Sequence, residues 1–141
     1  MIRNSGSAKW SGGLQDGEGQ VSTGSGVLSD VPYSFKKRFE GEPGSNPEEL
    51  IGAAHAACFS MALSMILEQK DMTPEEIATK ATVTLDKQDD GFAITKVHLE
   101  VTARIPGADA QAFEEAAQAA KQGCPVSKVL NAEISMDARL A

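Results

Sequence analysis

The clearest periodicity in the chain is near its middle, where Val97, Leu99, Val101, Ala103 and Ile105 alternate with Lys96, His98, Glu100, Thr102 and Arg104. A period of two predicts a strand with one face in a core and one in water. Ala81, Val83 and Leu85 alternate with Thr82, Thr84 and Asp86 as its partner, and Asp90-Gly91 between the two supplies a hairpin turn. Ala132, Ile134, Met136, Ala138 and Leu140 against Glu133, Ser135, Asp137 and Arg139 predict a third, C-terminal strand. Two helical patterns interrupt these strands. Asp109 to Gln122 places Phe113, Ala116, Ala117 and Ala120 on one face, with Gly123 as the expected stop. Cys124-Pro125 then restarts a short turn running to Leu130.

The other helix opens at Asn46-Pro47-Glu48-Glu49, with a capping oxygen, proline at the first position and two carboxylates at the positive end of the dipole. It should run to about Gln69. Its interior, Ala53 to Ile66, is small or apolar on nearly every face, the mark of a helix surrounded by protein. A single chain of 141 residues has little else to wrap it, which points to a subunit interface, with Gly52 and the alanines permitting close helix approach. Upstream, Ser7–Ser11, Gln20–Thr23 and Gly26–Leu28 read as short strands of an antiparallel meander broken by glycines, and Lys36 to Asn46 as a loop. That loop holds the densest basic spot, Lys36-Lys37-Arg38. The order β-β-β-α-β-β-α-β lacks regular βαβ alternation. The expected class is α+β with antiparallel sheets, in one domain spanning residues 1–141.

Composition narrows the function. With 13 Lys+Arg against 20 Asp+Glu the net charge is −7, which repels phosphate backbones and excludes nucleic acid as a partner. The N-terminus lacks the apolar run of a secretory signal, and the apolar stretch Ile51–Leu67 is shorter than a span and interrupted by His55, Ser60 and Ser64. A cytoplasmic protein without membrane contact is expected. In that reducing setting Cys58 and Cys124 are no structural staple, so they are packing residues or a redox pair. Apolar surroundings would silence Cys58. Cys124, behind Gly123 and near unsatisfied amides, has conditions favouring a thiolate, and on physics alone either could be the reactive one. His55 shares a helix face with Cys58, which raises a Cys/His nucleophile or a metal site. His98 falls on the polar face of its strand, so four converging metal donors are lacking. Arg38 and Glu49 matter if a thiolate exists, since a guanidinium stabilises the anion and a carboxylate can hold the guanidinium. Cys58 follows Glu49 by nine residues, about 13 Å along a straight helix and half a revolution round it. Sharing one site would therefore take a second subunit.

Taken together, the segments Gly19–Leu28, Arg38–Glu42, Asn46–Ala62, Gly91–Lys96 and Ala120–Ser127 make the sequence similar, over essentially its whole length, to the OsmC/Ohr family. The pairing of the long Cys58 helix with a later Gly-Cys-Pro-Val-Ser carries most of the specificity. The resemblance implies an OsmC-like fold, with antiparallel sheets around long central helices in an intertwined homodimer. It also implies a thiol peroxidase that reduces organic hydroperoxides at the subunit interface. By position it makes Cys58 the peroxidatic cysteine, Cys124 the resolving one, and Arg38 and Glu49 the pair activating the thiolate. A sulfenic acid, an intramolecular disulfide and recycling by a dithiol follow, a lipoyl group (as on a lipoylated protein) being the reductant implied. Met61, Met65, Phe35, Phe39 and Phe92 are the expected walls of an apolar pocket, and no metal or organic cofactor is required. Two other readings compete: a non-catalytic dimeric module binding a small apolar ligand, with structural cysteines, and a Cys58/His55 hydrolase, which lacks an orienting acid.

Overall fold

The computed structural model describes residues 1–141, which form β1 (Gly6–Ser11), β2 (Glu18–Thr23), β3 (Val31–Tyr33), α1 (Phe35–Phe39), α2 (Pro47–Glu68), β4 (Glu76–Gln88), β5 (Gly91–Arg104), α3 (Ala110–Gly123), α4 (Pro125–Val129) and β6 (Glu133–Leu140). The class is α+β. Two compact units divide the chain, Met1–Leu50 and Ile51–Ala141, with the boundary inside α2.

The first unit is a three-stranded antiparallel sheet in the order β1-β2-β3, followed by α1 and the first turn of α2. Every residue of β1 is exposed, and no residue of this unit belongs to the hydrophobic core. Two expectations change here. The third strand is Val31–Tyr33, because Gly24–Leu28 closes a turn in which Thr23 accepts from and donates to Leu28. Within the expected loop, Phe35–Phe39 is helical, started by Ser34, whose hydroxyl accepts from the Lys37 amide at 3.2 Å.

In the second unit β4 and β5 form a long hairpin across the Asp89-Asp90 turn, with Gly91 at φ +122° and a register shift at Thr84/Leu85. β6 pairs with β5 in parallel, from Lys96↔Glu133 to Ala103↔Leu140. This corrects the expectation of purely antiparallel sheets: α3 and α4 carry the chain back to the starting end of β5, so β6 must run alongside it. The inward face of β5 (Val97, Leu99, Val101, Ala103) meets Phe59, Leu63 and Leu67 of α2 and Phe113, Ala116, Ala117 and Ala120 of α3 in one core.

By length and composition α2 is apolar enough to cross a membrane. In the fold it is a core helix, but on one stripe only: Gly52, His55, Phe59, Leu63 and Leu67 are buried, while Met61 and Met65 are 77% and 55% exposed. Gly52 serves packing inside the chain, not between subunits, since a Cβ there would lie 3.0 Å from the Ala81 carbonyl oxygen of β4. The expected stop at Gly123 also differs. Gly123 is the last helical residue, and Cys124 ends α3 with an extended backbone (φ −62°, ψ 135°), as the residue before a proline prefers.

Candidate active site

Cys124 occupies a double position. Its amide donates to the Ala120 carbonyl at 3.0 Å, closing α3, and its sulfur accepts from the Ser127 amide at 3.3 Å, opening α4. The side chain is fully buried. Cys58 sits half-buried eleven residues into α2, and both cysteines are free thiols. The α3–α4 corner brings the two together: the Cys58 thiol is hydrogen-bonded to the Cys124 side chain and to the Val126 backbone. Burial pushes the Cys58 thiol up. The Val126 amide pulls it down, and the neighbouring Cys124, through its hydrogen bond and charge, pushes it up again. In this environment alone Cys58 is a protonated thiol, so a nearby cation is needed to make it a nucleophile.

A polar chain continues inward from Cys124. Ser127 Oγ lies 3.3 Å from Cys124 Sγ and 2.7 Å from His55 Nε2, and His55 is fully buried. Burial holds the imidazole below its ordinary pKa. Its Nδ1 has no hydrogen-bond partner. His55 thus faces Ser127 and does not act on Cys58 as a catalytic base would in the hydrolase reading.

Arg38 lies on α1 and grips a carboxylate of the first α2 turn: Nε is 3.1 and 3.2 Å from Glu48 Oε1 and Oε2, and Nη2 is 2.7 Å from Oε1. The partner is Glu48, not the expected Glu49. Asn46 and Pro47 fix the phase of the first turn, which aims Glu48 at α1. The next residue, about 100° further round, is Glu49, which is exposed. The Arg38 guanidinium also lies 5.2 Å over the Phe39 ring. A cleft of about 290 Å³ is lined by Trp10, Leu14, Tyr33, Phe35, Arg38 and Phe39. Of the five expected pocket residues, Phe35 and Phe39 line this cleft with their rings 4.9 Å apart. Met61 and Met65 do not; they stand on the exposed stripe of α2, and Phe92 is 57% exposed near the β4–β5 turn. His98 is hydrogen-bonded to Ser135 and Asp137 of β6.

Residues 39–139 match the model of the OsmC-like protein family. The chain belongs to this family. It is 58% identical to peroxiredoxin OsmC of Escherichia coli over 99% of its own length and 97% of that protein's, and 29% identical to the organic hydroperoxide resistance protein OhrB of Bacillus subtilis over 86% and 88%. Among solved structures, an organic hydroperoxide resistance protein from Elizabethkingia anophelis superposes with a TM-score of 0.75 at 25% identity, covering 100% of this chain and 98% of that one. An OsmC-like protein of Vibrio cholerae gives 0.76 at 19% identity, a likeness of fold. These solved structures match this chain almost end to end, so the OsmC-like fold includes the small sheet as well as the core.

The reading of the sequence missed three participants: Glu48, Ser127 and the Val126 amide. Ser127 had a signal in the spacing Cys124-Pro125-Val126-Ser127, in which a capping side chain meets the third residue of the helix it opens. Glu48 had none, because which of two adjacent carboxylates faces Arg38 depends on how α1 returns.

Proposed function

We propose that the chain is a cysteine peroxidase that reduces organic hydroperoxides to alcohols, with Cys58 peroxidatic and Cys124 resolving. The observation that carries this reading is the contact between two free thiols at a helix corner, one of them half-exposed. The Cys58 thiolate attacks the distal peroxide oxygen, the O–O bond breaks, and the alkoxide leaves and takes a proton. Cys58 becomes a sulfenic acid. Cys124 displaces its hydroxyl as water to give a disulfide, which an external dithiol, of which a lipoyl group is one type, reduces. A reducing cytoplasm suits such a cycle.

Arg38, oriented by Glu48, is the cation that lowers the Cys58 thiol and meets the developing alkoxide. The apolar cleft beside Arg38 suits an alkyl group. Glu48 and Cys58 lie ten residues apart on one helix, about 15 Å of rise, which favours Arg38 of a second copy as the partner of Cys58. Two further features support a homodimer: the exposed Met61/Met65 stripe, and a small sheet that buries no hydrophobic side chain of its own. The test is consumption of an alkyl hydroperoxide by the purified protein with dihydrolipoamide. Turnover should vanish in Cys58→Ser, while Cys124→Ser should complete one oxidation and stop. Unchanged turnover in Cys58→Ser would leave a ligand-binding module as the better reading.

A further inference from the structure

The buried chain Cys124 Sγ, Ser127 Oγ, His55 Nε2 is placed where a proton must move. Cys124 has to lose its proton to attack the Cys58 sulfenic acid, yet its sulfur is fully shielded from water, so solvent cannot take the proton directly. The only groups hydrogen-bonded to that sulfur besides Cys58 belong to Ser127. Ser127 in turn ends on an imidazole nitrogen at 2.7 Å.

We propose that Ser127 and His55 form a proton relay for the resolving step, Ser127 as a catalytic residue in contact with the reacting sulfur and His55 as the base acting through it. This rests on the reading of Cys124 as the resolving thiol. As the Cys124 sulfur attacks the Cys58 sulfur, the Cys124 proton passes to Ser127 Oγ while the Ser127 hydroxyl proton passes to His55 Nε2. The S–S bond forms, the Cys58 S–O bond breaks, and hydroxide leaves. The proton held on His55 returns through Ser127 and neutralises that hydroxide to water. Cys124 is oxidised and the sulfenic sulfur reduced, with no outside reactant.

Two properties of His55 suit the role. Burial keeps it neutral at rest, hence able to accept. With Ser127 donating to Nε2, its own proton sits on Nδ1, which has no partner. A buried imidazolium without a carboxylate behind it is poorly stabilised, so the proton is held briefly and handed back. An imidazole serving only as packing would gain by pairing that nitrogen.

The experiment is single-turnover oxidation by one equivalent of alkyl hydroperoxide, with sulfenic acid formation and disulfide formation followed separately by rapid quench and mass spectrometry. Ser127→Ala should slow disulfide formation about 100-fold or more near neutral pH, the low end of general-base effects. Sulfenic acid formation serves as the internal reference. The gap should narrow on acidification, as His55 takes up a proton and can no longer accept one, and Ser127→Thr, which keeps the hydroxyl, should recover most of the rate. His55→Gln should show the same pH-dependent defect and decides the matter if Ser127→Ala does not fold. Disulfide formation at the wild-type rate in these variants, or slowed equally at every pH, overturns the relay. If the peroxidase reading itself is wrong, the wild type forms neither sulfenic acid nor disulfide, a distinct result.

Discussion

Replacing Glu48 by glutamine isolates the carboxylate that the structure places on Arg38. Three contacts of 2.7 to 3.2 Å hold the guanidinium, with the Glu48 side chain 12% exposed and that of Arg38 36% exposed. Hydrogen bonds to charged groups contribute about 1.5–3 kcal/mol when sheltered. Partial exposure of Arg38 lowers the whole pair to about 1–2 kcal/mol. Glutamine removes the charge and turns an NH2 group toward a guanidinium that has only donors, so most of that amount is lost. If a correctly aimed Arg38 activates the Cys58 thiolate, kcat/KM for an alkyl hydroperoxide should fall roughly 5- to 30-fold at 1.4 kcal/mol per tenfold. Glu49→Gln is the control. The Glu49 backbone amide donates to Asn46 at 2.8 Å, but the side chain is exposed, and the change should be under about twofold. Steady-state peroxide consumption with dihydrolipoamide measures both. A larger loss in Glu49→Gln than in Glu48→Gln would refute the assignment of Glu48 as the residue that orients Arg38.

Three more outcomes are expected. Mixed dimers carrying Arg38→Met on one subunit and Cys58→Ser on the other should keep about half the active sites if the site is completed across subunits; complete inactivity of the isolated mixed dimer would show that both residues act within one chain. Gly52→Val forces methyl groups against the Ala81 carbonyl oxygen, already 3.0 Å from a Cβ position, and should destabilise by about 1–3 kcal/mol in urea titration; an unchanged midpoint would mean that α2 and β4 separate freely. His55 has a depressed pKa in the native state, so below about pH 6.5 the unfolded chain binds a proton that the native one refuses. Stability should therefore fall with acidification from that point, by up to ~1.4 kcal/mol per pH unit, and His55→Gln should flatten the slope.

The parts of the fold legible in the sequence were those set by local periodicity: the β4–β5 hairpin, the face of α3, the capped start of α2 and the last strand. The direction of β6 was not, because alternation fixes which face is buried and says nothing about whether a neighbour runs parallel. The all-apolar interior of α2 likewise concealed which stripe the chain buries by itself, since Met61 and Phe59 look alike until the sheet is placed. In the site, Cys58, Cys124 and Arg38 stood out as residue types with chemistry to offer. Glu48 and Ser127 did not, because their roles come from rotations of about one residue around a helix and from a corner made by two helices meeting at Cys124.

The parallel strand pairing has a consequence for the order in which the molecule forms. β4 and β5 close over a two-residue turn, a contact that costs little chain entropy. β6 can join only after the whole excursion from Ile105 to Ala132 has been laid down, and long-range pairing of that kind is slow. Cys124 travels on that excursion. A nascent chain halted before its final strand holds both cysteines but lacks the ladder that fixes the returning end of the corner. Pairing of β6 with β5 is thus the event that fixes the corner, so the two sulfurs are held against each other only once the sheet is complete.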